Sequence, residues 1–210
     1  MANAVSKARQ ASDLKRRFPV RANARNTVET IFEATARILE REGLGGLNTN
    51  RIAETAGVSI GALYGYFPNK HAILLAMARR ELDLVRDRVI EALTVTSGED
   101  PVRLTIRALI KGYGVRNKAR RILMERLFAD GGSDEMARPT HEVADLLMAH
   151  QARFLPPGAP APSPISLFIL TRAVDSVVRA ATYEDAPYLG TRAFEDELVR
   201  LVNSYLIAAI

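Results

Sequence analysis

The sequence predicts an all-α protein of about nine helices, and three observations carry that prediction. Apolar residues recur at three- and four-residue intervals along most of the chain, whereas strand-type alternation is scarce. Aromatic residues make up only 6% and Trp is absent. Helix-length segments are separated by breakers: GLGG at 43–46, SGEDP at 97–101, Gly131-Gly132, and PPGAPAPSP at 156–164.

The elements follow in order. Residues 1–24 are polar and basic, and read as a flexible N-terminal arm. From Asn26, Val28, Ile31, Phe32, Thr35, Ile38 and Leu39 share one helical face, with Asn26 and Glu29 as a capping pair and Gly43 as the stop. Thr49 is placed to cap a helix over 50–56 that ends at Gly57. Ser59 is placed to cap a short helix from Ile60 to about Phe67. Pro68 breaks that helix, and Asn69 caps a long one reaching about Leu93 with Ile73, Leu74, Met77, Leu84 and Val89 as core positions. Further helices are expected at about 100–116, 118–130, 134–154, 165–183 and 192–208. The last two carry apolar stripes: Leu167, Leu170, Val174, Val177, Val178 and Ala181 on one, and Phe194, Leu198, Leu201, Val202 and Tyr205 on the other.

The bulk numbers bound the function. With 210 residues and 48% apolar content, the chain can bury a sizeable core in one or two domains. The absence of Cys excludes disulfides and thiolate metal sites, which fits a reducing cytoplasm. No apolar run reaches the roughly 18 residues of a membrane span, and the N-terminus lacks the apolar stretch of a secretory signal, so a cytoplasmic protein without a membrane partner is expected. The net charge of +5 is localised: residues 1–70 hold 11 Lys/Arg against 6 Asp/Glu, while residues 71–210 hold 18 of each. An anionic partner held by the N-terminal part, or a merely solvated basic tail, are both compatible with that asymmetry.

Residues 49–68 meet the demands of a helix-turn-helix, two short helices crossing steeply at a glycine-containing turn. Ala53 is small where the helices approach, Gly57 suits positive φ, and Ile52, Ala56, Val58, Leu63 and Tyr66 occupy inward positions. RIAETAGVSIGALYGYFPNKHAIL resembles the DNA-binding signature of the tetracycline-repressor (TetR) family of bacterial transcription regulators, specifically from about Arg25 to Leu82. The resemblance implies a homodimer that binds a double-stranded DNA operator through two such heads, a small-molecule effector in the C-terminal part, and no cofactor. It implies that Tyr64 and Lys70 contact the DNA backbone. It also divides the chain into the arm, a DNA-binding domain over 25–70, and a ligand-binding and dimerisation domain over 71–210.

Read physically, the short third helix would lie in a major groove. Thr49, Arg51 and Ser59 can reach phosphates, although the two hydroxyls also suit caps and Arg51 also suits a solvated surface. Ile60, Gly61, Ala62 and Gly65 face the groove without offering a side-chain hydrogen bond, which leaves thymine methyls as their targets and Asn50 or Asn48 at the edge. Two mid-helix glycines cost about 1 kcal/mol each relative to Ala, so they imply either close approach to bases or relief of a clash within the head. Tyr66 is a further DNA candidate, although a half-buried position suits it better.

For an effector, Tyr113, Met124, Phe128, His141, Met148, Phe168 and Arg172 combine apolar bulk with a few polar groups, and ordinary core packing is the competing role for each. Arg172 can instead pair with Asp175 or Asp145. The last two helices, with small Ala173, Ala180 and Ala181, suit a two-fold four-helix dimer interface. A constitutive DNA-binding protein without effector is the alternative. An all-α enzyme would have to use His141, Glu142, Asp145 and His150, and no phosphate loop, nucleophile elbow or Glu-x-x-His pair accompanies them.

Overall fold

The structure is a computed structural model and describes residues 24–95, 98–114, 118–129, 133–150, 153–155 and 160–208. The basic arm and Phe128's side chain lie outside the described residues. Among the described residues there are nine α-helices and no strand: α1 over 24–42, α2 Thr49–Ala56, α3 Ile60–Tyr66, α4 Lys70–Thr94, α5 Pro101–Tyr113, α6 Lys118–Ala129, α7 Ser133–Ala149, α8 Pro164–Tyr183 and α9 Arg192–Ala208. None of these is long and apolar enough to cross a membrane. The chain forms two compact units, one ending at Leu75 and the other beginning at Ala76, so the boundary falls inside α4.

In the first unit, α1 buries Ile31, Ala34, Ile38 and Leu39, the three- and four-residue spacing of one helix face. Thr35 is fully buried on that face, and its Oγ1 donates to the Ile31 carbonyl at 2.8 Å, so no polar atom is stranded. Asn26 does not cap this helix. The backbone is already helical at residue 24, and Asn26 sits exposed within the first turns. Gly43 ends the helix at φ 69° and opens a 3-10 turn over Gly43–Gly46.

In the second unit, α5 buries Val102, Ile106, Ile110 and Tyr113 in one core with Leu198, Val202 and Leu206 of α9 and with Leu170 and Val178 of α8. Arg103 and Arg107 of α5 both reach Glu195 of α9 at 2.9 Å, and Arg103 also reaches Asp196. A Cβ on Gly112 would lie 3.0 Å from Val85 Cγ1, so glycine there permits the close approach of α5 to α4. Buried Arg120 is paired with Glu81 at 3.1 Å.

Several expected details differ. Leu84 is exposed and Leu82 and Val85 are buried instead, because the inward face of α4 steps by three or four residues and 84 falls outside that series. Val177 and Leu201 are likewise exposed despite lying within apolar stripes. Helix α5 stops at Tyr113 rather than near 116, where Gly114 accommodates the end, and α7 stops at Ala149 rather than near 154.

Candidate nucleic-acid interface and ligand cavity

The head is assembled by short-range bonds that the local residues supply. Asn48, extended at φ −142° and ψ 161°, is the N-cap of α2, and its side chain accepts from the Arg51 amide at 2.9 Å. Thr49, expected as that cap, lies inside the helix. Asn and Thr are adjacent and both are good capping types, and Thr49 Oγ1 instead meets Tyr64 Oη at 3.1 Å, tying the start of α2 to α3. Gly57 takes φ 68° and ψ 28°, a left-handed conformation natural to glycine. Ser59 then caps α3, its Oγ accepting from the Ala62 amide at 3.1 Å. The wedge between the two helices consists of Ile52, Ala53 and Leu63, all at most 3% exposed. Phe67 packs on Phe32 of α1 with ring centroids 5.8 Å apart. Ala56 and Val58 are half-buried, and Tyr66 is exposed rather than inward, because Phe67 takes the buried place beside it.

The opposite face of α3 is a bare surface. Ile60, Gly61, Ala62, Tyr64, Gly65 and Tyr66 are all exposed, Tyr64 by 51%. A Cβ added to Gly61 or Gly65 would meet nothing within 4 Å. The head's own packing therefore gives no reason for either glycine, and relief of an internal clash is ruled out. Around this surface, Asn50 is exposed on α2, Arg51 pairs with Glu42 at 2.5 Å, and Lys70 Nζ donates to the Leu47 carbonyl at 3.0 Å. Asn69 caps α4 by accepting from the Ala72 amide at 2.9 Å. The parts played by Glu42 and the Leu47 carbonyl were invisible in sequence, because each bridges residues that are distant along the chain.

The second unit holds a partly open cavity of about 120 Å³. Most of its wall is apolar, from Val85 and Val89 of α4, Ile106 and Leu109 of α5, Leu147 of α7, Leu170 and Val174 of α8, and Phe154 beyond α7. Tyr113 is on the wall and donates to Asp175 at 2.8 Å, while Arg179 stands 3.3 Å from the other Asp175 oxygen. Burial pushes the Tyr113 phenol well above its ordinary range, and the adjacent Asp175 charge adds to the shift. Burial likewise raises the Asp175 carboxyl, opposed by Arg179 and by the hydrogen bond from Tyr113.

Of the other residues expected at a ligand site, Met124, His141, Met148, Phe168 and Arg172 are absent from the described wall. Met124 is buried in α6, and Phe168 is 53% exposed on α8. Arg172 does not bond to Asp175 or Asp145. It donates to Thr140, contacts His141 Nε2 at 3.1 Å, and lies over the Phe168 ring at 5.2 Å. Asp175 and Arg179, four residues apart on α8, carry the polar part instead. The acid-and-histidine cluster is dispersed: Glu142 faces Arg86 at 3.3 Å and His150 turns to the Leu146 carbonyl at 3.0 Å. Among the described residues no group of three or more His, Cys, Asp or Glu could hold a metal ion.

The head's geometry has a counterpart in a known family. Residues 31–77, which span α1 to the first turns of α4, match the bacterial regulatory proteins of the tetR family. The segment that carries the helix-turn-helix is thus similar to the tetR family of bacterial regulatory proteins. An HTH-type transcriptional regulator of Haemophilus influenzae is 44% identical over 52 residues, 25% of this chain and 28% of that relative. This chain thus spans little more than a quarter of that curated relative's length. A TetR-family transcriptional regulator from Streptomyces coelicolor superposes with a TM-score of 0.56 at 26% identity, covering 88% of this chain and 99% of the other. The fold is also that of the multidrug binding protein EbrR complexed with malachite green, with a TM-score of 0.60 at 19% identity over 85% of this chain and 96% of that one. The helix-turn-helix, α2 to α3, lies inside the matched segment.

Proposed function

We propose that this protein is a tetR-family, ligand-responsive cytoplasmic repressor that binds a near-palindromic DNA operator as a homodimer and is released by a small-molecule effector. The observation that carries the reading is the outward face of α3, exposed throughout and without side-chain bulk at Gly61 and Gly65, in the helix that a helix-turn-helix presents to the major groove. The open glycines let the backbone approach base edges. Ile60 and Ala62 contact thymine methyls, and Asn50 and Tyr66 sit at the margins. Thr49, Arg51, Ser59, Tyr64 and Lys70 hold phosphates, which positions the head and makes affinity fall with salt, but reads no sequence.

Two further features support the finer parts. Helices α8 and α9 leave Ile165, Ile169, Val177 and Leu201 exposed, an apolar face that a two-fold four-helix interface would cover. The cavity in the second unit offers a site for an effector, and EbrR, of the same fold, binds malachite green. A mostly apolar cavity of this kind supports a sensor over a constitutive regulator without effector. A duplex isolated by its affinity for the protein is expected to bind with log affinity falling linearly as log salt rises. Binding that is indifferent to salt would contradict the phosphate-held head.

A further inference from the structure

Whether a buried site accepts an anion, a cation or a neutral molecule depends on which donors and acceptors remain uncommitted. Two cations stand on the cavity wall, Arg86 and Arg179, and both are turned to carboxylates. Arg86 reaches Asp83 at 2.7 Å, Asp87 at 2.8 Å and Glu142 at 3.3 Å. Arg179 faces Asp175 at 3.3 Å and donates to Ser176 Oγ at 3.2 Å. Three of the wall hydroxyls have also committed their protons, and a fourth, Thr140, accepts from Arg172. Tyr113 donates to Asp175, Thr105 to the Pro101 carbonyl and Thr171 to the Leu167 carbonyl, each at 2.8 Å. A hydroxyl that has given its proton still carries lone pairs. The polar part of this wall is therefore rich in acceptors, and each of its two cations already faces a carboxylate. The rest of the wall is hydrocarbon.

An incoming carboxylate would have to part an arginine from its acid while Asp175 repels it. An ammonium would find Asp175 already faced by Arg179. A neutral hydrogen-bond donor needs neither rearrangement. The volume sets the size: a closed cavity of about 150 Å³ takes a benzene ring, and this one, about 120 Å³ but open on one side, suits a single ring whose substituent extends toward the mouth.

We propose that the cavity takes a small uncharged phenol or alcohol, apolar over most of its surface, whose hydroxyl donates to the Tyr113–Asp175 pair, and that it rejects carboxylates. The proposal rests on the reading of the cavity as the effector site. Its test uses the full chain and three single-ring probes of similar size: p-cresol, toluene and benzoate. Binding is measured by saturable thermal stabilisation, and release from operator DNA by a separate titration. The p-cresol is expected to bind about tenfold more tightly than toluene, as one hydrogen bond would give, and benzoate to give no shift. Leu109→Phe, which adds bulk to the wall, is expected to weaken p-cresol about tenfold, with the free variant's own melting curve reporting that it folds. Benzoate binding as tightly as p-cresol, toluene matching p-cresol, or no stabilisation by any probe would each overturn the proposal. Stabilisation by p-cresol with operator affinity unchanged would uphold this chemistry and overturn the ligand-responsive reading instead.

Discussion

Gly61 and Gly65 are two costly residues in a seven-residue helix, and the protein itself has room for side chains at both. If DNA imposes them, Gly61→Ala and Gly65→Ala should each stabilise the free protein by about 0.5–1 kcal/mol while weakening operator binding several-fold. A pair of melting and binding curves checks this, and stabilisation without loss of affinity would show that the backbone does not approach the bases. Lys70 has two tasks to separate. Its ammonium donates to the Leu47 carbonyl, so Lys70→Ala should cost about 1 kcal/mol of stability and lower affinity for all duplexes alike. Ile60→Ala should instead relax preference at one or two base pairs, read from binding to a panel of single-base operator variants. At this scale the sequence was legible where one residue type answers one geometric need, as Gly57 and Ser59 do. It misled where neighbours compete for one role: Asn48 takes the cap and Thr49 turns to Tyr64.

Helices α2 and α3 were readable with their turn because their contacts lie within twenty residues. The ends of α5 and α7 were not: Gly114 ends α5 at φ −72° rather than in the left-handed conformation that makes a glycine stop legible, and no turn residue marks the end of α7. The stripes on α4, α8 and α9 located the helices but misplaced Leu84, Val177 and Leu201, because periodicity counts apolar residues without saying which of them this chain buries itself. The α5–α9 contact lends itself to a pH test. Hydrogen bonds from Arg107 and then Arg103 outweigh partial burial and hold the Glu195 carboxyl below its ordinary value of 4.5. A depressed folded-state pKa means that the ionised form is favoured on folding. Its contribution is thus present above pH 4.5 and is lost as pH falls through the lower folded value. The difference in Tm between the native protein and Glu195→Gln should therefore hold steady from neutral pH down to about 5 and close below 4.5. A difference that persists in acid would assign the effect to packing rather than charge.

At the scale of the molecule, the all-α class was legible in the sequence and the cavity was not. Its wall draws on α4, α5, α7, α8 and α9, and one sequence does not show which faces of five helices converge. Tyr113 was within reach as a bulky residue with a polar tip, whereas Asp175 entered only as a possible partner of Arg172 and nothing in the sequence singles out Arg179. The exposed apolar face of α8 and α9 carries the dimer reading. Ile169→Asp should leave the melting of the isolated chain nearly unchanged, convert a dimer to a monomer in sedimentation at micromolar concentration, and abolish tight operator binding; a monomeric native protein would remove the two-fold argument. The proposed homodimer would read DNA through paired helix-turn-helix heads. The most direct test of that reading is selection of genomic fragments by the purified protein, followed by sequencing of what is retained. One enriched, near-palindromic, thymine-bearing motif is expected, its half-sites spaced by about one helical turn or a multiple of it. Recovery of fragments with no enriched palindrome would contradict it.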